Sequence, residues 1–326
     1  MHQVVALIGP TAVGKTDVSI ELAKRLDAEI VGCDSMQVYR HMPVLTQQPT
    51  SSQRAAIPHH LIDCVEPTEP FSVGHYRRAA LDAIAAIQRR GNAVLLVGGT
   101  GLYLKALTDG LCEAPPADAT LRRELVDTAQ ACGSATLYER LKAVDPVAAT
   151  NIHPHDTRRL VRALEVYELT GEPLSRFWQR TDAPVLPMTL IGLNRNRAEL
   201  YERINRRVER MIREDGALEE ATRVSGLPLS HTARQVHGLK FLEAYLKEER
   251  TLADTIRLWQ QQVRNYARRQ LTWFRAEPRI RWITIESDDT VEAVVDQILK
   301  QLESGQVAEW LSGQAPSHFV TLPPSH

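Results

Sequence analysis

Five consecutive apolar residues, Val4 to Ile8, run straight into "GPTAVGKT" at residues 9–16. Gly9, Gly14 and the Lys15–Thr16 pair satisfy G-x-x-x-x-G-K-[ST], a pattern that few folds can accommodate. Such a loop has to leave a buried strand and open a helix. Its backbone N–H groups then wrap phosphate oxygens, and the helix N-terminus adds its positive end. "KTDVSIELAKRL" supplies that helix, with Val18, Leu22 and Leu26 at helical spacing. Gly9, Pro10, Thr11, Ala12, Val13, Gly14, Lys15 and Thr16 are therefore expected to form a phosphate cradle. Lys15 would reach the terminal phosphate, and the Thr16 hydroxyl would ligate Mg²⁺.

Two further short strands follow, "AEIVGCDS" ending at Asp34 and "AVLLV" (Ala93 to Val97), which runs into Gly98-Gly99-Thr100-Gly101. A helix is expected over Tyr76 to Arg89 between them. Alternating strands and helices imply a parallel sheet covered on both faces, with ligands at the carboxyl ends of the strands. Gly9, Asp34 and Thr100 all fall at such ends. After Gly110 to Asp118 the strand pattern stops, and residues from about Ala119 to Glu172 read as helices, with Asp156 a candidate N-cap. "VLPMTLIGLN" (Val185 to Asn194) reads as a strand returning to the sheet. The expected class is α/β: a P-loop NTPase-like parallel sheet core with a helical insertion domain and a helical C-terminal part. Residues 1–112 and 190–310 would form the core, 113–189 the insertion, and 313–326 a disordered tail.

A phosphate loop does not by itself mean hydrolysis. P-loop NTPases hold their metal partly through an Asp at the end of an apolar strand, whereas "AVLLV" ends in Gly-Gly-Thr. Asp34 is the one acid well placed at a strand end. It could serve as a base toward an acceptor, or be a plain helix N-cap. The residues alone thus indicate a phosphate-ester or diphosphate enzyme with an unusual metal shell.

The formal net charge of −1 conceals an asymmetry: from Ile191 to Ile285 nineteen Lys/Arg stand against twelve Asp/Glu. A polyanion should meet this part first. In "TLADTIRLWQQQVRNYARRQLTWFR" (Thr251 to Arg275), Arg257, Arg264, Arg268 and Arg275 fall within about 40° of one another at 100° per residue. Trp259, Val263, Tyr266 and Trp273 lie opposite, which marks the tryptophans as core. Asp254 is the only acid in the segment, so intrahelical ion pairs should not account for the row. It is either a solvated face or one that meets a polyanion. Arg158, Arg159 and Arg162 form a second group. Arg203, Arg207 and Arg210 form an i, i+4, i+7 row that either clamps phosphates over the cradle or is plain surface. Cys33, Cys64, Cys112 and Cys132 are scattered, which suggests neither a zinc site nor a disulfide framework. No apolar stretch approaches the roughly 18 residues of a membrane helix, and the start lacks signal-peptide character. A cytosolic setting is expected.

In order along the chain, "GPTAVGKT", "DSMQVYR", "PHHLID", "FSVGHYRRAA", "GGTGLYLKAL", "RRLVRALEVYELTG" and "RRQLTWFR" resemble the tRNA dimethylallyltransferases, the adenosine-37 isopentenyltransferases. The likeness runs from Val4 to Arg275 and is to the bacterial form, since the zinc-finger extension of eukaryotic members is absent. It implies a monomeric enzyme moving a five-carbon allylic group from dimethylallyl diphosphate to N6 of adenosine 37, in tRNAs that read codons beginning with U. The cradle would then hold the donor's diphosphate. By the resemblance Asp34 is the base and Thr100 helps hold the reacting groups. Lys15, Mg²⁺ at Thr16 and a lid-like arginine, Arg207 or Arg203, would neutralise the departing diphosphate. The tRNA anticodon stem-loop would meet Asp34, Ser35, Met36 and Gln37; Arg158, Arg159 and Arg162; Arg234 and Gln235; and Arg264, Arg268, Arg269, Gln270, Trp273 and Arg275.

The chain departs from the family pattern at three places. "HMPVLTQQP" follows "QVYR" in place of a glycine- and lysine-containing run. His237 and Leu239 in "ARQVHGLKF" replace an aliphatic residue and a tyrosine, and Thr157 stands where glutamine is usual. These departures are expected in acceptor-facing segments, with the donor site intact. Two other readings stay open on sequence alone: a small-molecule kinase using ATP at the same loop, and a catalytically silent RNA-binding relative.

Overall fold

A computed structural model of the protein describes residues 4–111, 114–179 and 186–304. The chain divides into two compact units, Met1–Thr108 with Pro187–His326, and Asp109–Leu186. The 313–326 tail, with Cys112, lies outside the described residues.

The first unit is built on six strands: β1 (Val4–Ile8), β2 (Ala28–Cys33), β3 (His59–His60), β4 (Ala93–Gly98), β5 (Thr189–Arg195) and β6 (Arg281–Ile285). They form one sheet in the order β3-β2-β4-β1-β5-β6, with every pairing parallel. β1 is central and buried along its whole length, as an all-apolar strand covered on both faces must be. Register matters more than order for the site. Ile8 stands opposite Gly98 on one side and Gly192 on the other, and Cys33 stands opposite Gly98. The residues that follow these positions, Gly9, Asp34 and Gly99-Thr100, therefore leave the sheet at one level. The chain passes from β1 to β2 on one side and enters β5 on the other, so the loop after β1 opens at a topological switch point.

Helices Lys15–Leu26, Val73–Arg89, Arg197–Arg213 and Leu252–Arg275 belong to this unit. Ser72 and Thr251 accept hydrogen bonds from the third amide of their helices, and Asn196 from its second, satisfying first-turn donors. The sheet includes two strands that the sequence pattern did not show. The C-terminal part is not wholly helical, because β6 completes the sheet; only its Ile283 and Ile285 are buried, which leaves an edge strand with a weak apolar signal. β3, two residues long, carries no periodicity at all. The strand expected from Val185 begins at Thr189.

The second unit is helical. Leu137, Leu141, Leu160 and Leu164 form the centre of its own core. Asp156 caps helix Thr157–Thr170 through the amide of Arg159. Within this core Glu165 is fully buried, and its carboxylate accepts from the Asp118 amide (2.8 Å), Arg122 and Arg162. Arg162 also donates to the Pro115 carbonyl at 2.6 Å. Arg162 is thus a structural partner of a buried carboxylate and not a free RNA contact, which corrects the expectation for that residue. Among the described residues no helix is long and apolar enough to cross a membrane.

Candidate active site

The loop between β1 and the first helix has the form its sequence demands. Gly14 takes φ 113° as it opens the helix, a conformation that side-chain-bearing residues avoid. The Lys15 ammonium folds back on the loop and donates to the Gly9 and Pro10 carbonyls, each at 2.9 Å. Two arginines of helix Arg197–Arg213 reach the same loop. Arg203 Nε donates to the Ala12 carbonyl at 2.9 Å, and Arg207 Nη2 donates to Thr11 Oγ1. Burial pushes Lys15 down to about 8, with the Arg207 charge adding to it and Asp34 opposing. Burial and the neighbouring Arg203 and Arg210 bring Arg207 down to about 10, again with Asp34 opposing. Crowded, partly desolvated cations of this kind form a site that gains from a bound polyanion.

At the ends of β2 and β4 the backbone brings Asp34 and Thr100 together. The Thr100 amide donates to the Cys33 carbonyl (3.1 Å), and the Ser35 amide donates to Thr100 Oγ1 (3.0 Å). Asp34 Oδ1 accepts from the Met36 amide at 2.9 Å, so the carboxylate sits on a tight turn and caps no helix. Burial raises the Asp34 pKa above the usual carboxylate range, partly offset by the Met36 amide and Lys15. Tyr266 lies within hydrogen-bonding reach of Thr100 and Gln270, and its hydroxyl is pushed up by burial, so it stays a neutral donor. Gln270 is buried. Its Oε1 accepts from the Thr11 amide (2.8 Å) and its Nε2 donates to the Gly99 carbonyl (2.9 Å).

Lys15, Asp34, Arg203, Arg207, Tyr266 and Gln270 line a cavity of about 720 Å³ whose wall also includes Ile62, Val97, Met211, Trp259 and Val263. Cradle and apolar wall together can hold an anionic head with a short hydrocarbon chain. Part of the departures from the family pattern line the same cavity, namely Thr46, Gln47, Gln48, Pro49 and His237, whereas Thr157 and Leu239 do not. They were expected in acceptor-facing segments, and their place in this wall sets them beside the phosphate cradle as well. The cause is local. The buried Glu220 carboxylate accepts from the Val44 amide (3.0 Å) and the Leu45 amide (2.7 Å), pinning the segment at the cavity wall. Burial pushes His237 down to about 4. Its ring lies 4.4 Å from that of Tyr266, and its Nδ1 is buried without a partner.

The sequence matches the IPP transferase family over residues 37–277. The protein belongs to this family. It is 44% identical over 285 residues to the tRNA dimethylallyltransferase of Syntrophobacter fumaroxidans, covering 86% of this chain and 82% of that one. Its fold resembles the full-length tRNA isopentenylpyrophosphate transferase of Bacillus halodurans, with TM-score 0.69, 37% identity and coverage of 96% and 100%. It also resembles a eukaryotic dimethylallyltransferase captured in crystallographic snapshots acting on tRNA, with TM-score 0.79, 27% identity and coverage of 98% and 81%. The chain is accordingly an enzyme of the prenyltransferase type.

The arginine row of this transferase is shorter than its sequence suggests. Arg257 pairs with Asp254 at 3.0 Å, the segment's single acid engaging one member of the row, and Arg264 donates to Asn205 Oδ1. Arg268 and Arg275 remain exposed and line a cleft of about 370 Å³ with Arg197 and Thr272. Arg269 is exposed beside the Tyr266 ring, 5.8 Å from its centroid. Arg234 is exposed, 4.0 Å from Glu243, and Gln235 is exposed beside His231. Arg158 and Arg159 are exposed on the second unit, Arg159 with Asp156 at 3.3 Å.

Trp259 is core, whereas Trp273 is half-buried over Gly101, where a β-carbon would lie 2.2 Å from its ring. Gln270 is withdrawn from the RNA-facing set, since both ends of its amide are consumed by backbone. A signal for this existed: Gln270 lies about 220° round the helix from Arg257, beside Trp259 and Val263. Tyr266 was read only as a packing residue, and nothing in its spacing pointed to Thr100.

Proposed function

We propose that the protein transfers the dimethylallyl group of dimethylallyl diphosphate to N6 of adenosine 37, in tRNAs that read codons beginning with U. The products are N6-isopentenyladenosine and diphosphate. The observation that carries this reading is the meeting, at one level of the sheet, of a cation-lined phosphate cradle and a carboxylate of raised pKa. The cradle would take the diphosphate, with Lys15, Arg203 and Arg207 facing the charge that grows as it leaves. The apolar wall would take the five-carbon chain. The adenine has to leave its stack to reach such an enclosed site.

In the transfer the bond from N6 to donor C1 forms while the bond from C1 to the diphosphate oxygen breaks. The electron pair of that bond leaves with diphosphate, and the N6 proton passes to Asp34. A carboxylate lifted above its usual range is a better proton acceptor than a free aspartate. Thr100, fixed by the Ser35 amide, would hold the amine or the bridging oxygen in line.

The donor set fits Mg²⁺ rather than a thiolate- or imidazole-bound metal. The Thr16 hydroxyl stands in the cavity wall, and no cluster of three His, Cys, Asp or Glu suited to a metal occurs among the described residues. Mg²⁺ commonly takes most of its ligands from substrate oxygens and water. Bound there, it would draw off charge from the departing diphosphate. We take the enzyme to act as a monomer in the cytoplasm on the tRNA anticodon stem-loop.

The test incubates the protein with Mg²⁺, labelled dimethylallyl diphosphate and undermodified tRNA, without ATP, and assays isopentenyl-adenosine. Product is expected. Asp34→Ala should slow single-turnover transfer by about 10²–10⁴-fold while tRNA binding stays within a few-fold of wild type. A need for ATP would overturn the reaction, and an unchanged Asp34→Ala rate would overturn the base.

A further inference from the structure

Three side chains from outside the phosphate loop hold it in place, and one of them differs in kind. Arg203 and Arg207 are cations that can swing onto an anion. Gln270 is neutral, 5% exposed, and has its oxygen on the Thr11 amide and its nitrogen on the Gly99 carbonyl. Thr11 is 259 residues away from it in sequence and Gly99 is 171. One amide group therefore ties the front of the cradle, after β1, to the turn after β4 that presents Thr100. Tyr266, one helical turn earlier, lies in reach of both Thr100 and Gln270. The space for the crossbar exists because residue 99 lacks a side chain: a β-carbon there would stand 2.2 Å from Gln270 Nε2.

We propose that Gln270 is a positioning residue for the transfer, setting the diphosphate cradle against Thr100 through its paired hydrogen bonds to Thr11 and Gly99. Its amide is bonded to backbone on both sides, so it acts through the cradle and the Thr100 turn. Helix Leu252–Arg275 thereby carries the acceptor-facing arginines Arg268 and Arg275 on one side and the alignment of the donor cradle on the other. Removing the bond to Thr11 frees that amide and lets the front of the loop drift. Removing the bond to Gly99 frees the turn before Thr100. Both changes fall on the donor side, so donor affinity and in-line geometry should suffer while tRNA affinity does not.

The inference rests on the diphosphate reading above, and the experiment separates the two. The full-length protein with Mg²⁺ is titrated with inorganic diphosphate, and separately with tRNA, for wild type, Gln270→Leu, Gln270→Glu and Gly99→Ala. Gln270→Leu should weaken diphosphate about tenfold and leave tRNA within twofold. Gln270→Glu keeps the acceptor for Thr11 but, when ionised, cannot donate to the Gly99 carbonyl; protonated, it can. Its deficit relative to wild type should therefore shrink as pH is lowered from 8 toward 5, while that of Gln270→Leu stays constant. Gly99→Ala, which displaces the amide without altering the helix, should reproduce the Gln270→Leu loss. If Gln270→Leu does not fold, the other two variants carry the test. Wild-type diphosphate affinity in the glutamate and Gly99→Ala variants, or equal loss of tRNA and diphosphate affinity, would overturn the positioning role. Failure of the wild-type protein to bind diphosphate would overturn the donor reading itself.

Discussion

Burial shifts Lys15 down and Asp34 up, and their pairing sets a pH window for the proposed reaction. Lys15 is lowered to about 8 by burial, so its ammonium is present below that pH and is lost above it. Diphosphate needs the charged form, and donor kcat/KM should fall on the alkaline side with an apparent pKa near 8, because this quantity reports the enzyme before the donor binds. Asp34 is raised by burial and acts as base only when ionised. The acid limb should therefore lie above the range of a free aspartate, with rate rising as pH rises through it. Lys15→Arg keeps a charge that does not titrate in this range. Its donor kcat/KM should be reduced by imperfect reach but lack the limb near pH 8. Profiles from pH 5 to 9.5 at saturating tRNA would check both limbs; an alkaline limb unchanged in Lys15→Arg would assign it to another group. At this scale the sequence was informative wherever one short motif fixes the chemistry, as at Lys15, Thr16 and Asp34. It was silent on Tyr266 and on the Gln270 crossbar, whose partners lie far away along the chain.

Helix Leu252–Arg275 has two faces with different work, and only part of its basic face is free. Arg257 and Arg264 are engaged by Asp254 and Asn205, whereas Arg268 and Arg275 are exposed and meet no acid partner among the described residues. On the proposed function, each free arginine that neutralises an RNA phosphate contributes about one counterion to the salt dependence of binding. Arg268→Ala and Arg275→Ala should each weaken tRNA and flatten the slope of log affinity against log salt by roughly 0.7–0.9. Arg257→Ala and Arg264→Ala should leave the slope as in wild type. A filter-binding series at several salt concentrations reads this directly, and equal slope changes for all four would mean that the whole row faces RNA. The helix itself was legible to within one residue, because Thr251, the apolar stripe and the long periodic run agree. β6 was not, because an edge strand with two buried residues gives almost no alternation to read. Nor could helical phase alone tell which arginines find partners on neighbouring helices, as Arg264 does on Asn205.

At the scale of the whole molecule the two units carry separate cores, one around the sheet and one around Leu137, Leu141, Leu160 and Leu164. Every residue of the β1 loop, the proposed diphosphate cradle, belongs to the first unit, and Glu165 with its arginine partners to the second. A ligand that binds only the native form stabilises what it binds by RT ln(1 + [L]/Kd), about 2.7 kcal/mol at a hundredfold excess over Kd. Diphosphate at that excess should slow amide exchange about a hundredfold for sites that open with the sheet unit, in β1, the cradle and helix Arg197–Arg213. Amides of helix Thr157–Thr170 should be little affected, because the cradle residues all lie in the other unit. Arg162→Ala should do the reverse. It withdraws one of two arginines from a fully buried carboxylate, costing on the order of 1–3 kcal/mol, and should speed exchange in helix Thr157–Thr170 while leaving β1 as in wild type. Hydrogen exchange followed by mass spectrometry resolves both units in one experiment. Equal protection of both by diphosphate would mean that they open as one cooperative body, in which case donor binding reaches the helical unit without any RNA. Separate responses would mean that the cradle can fill without ordering the helices that carry Arg158 and Arg159.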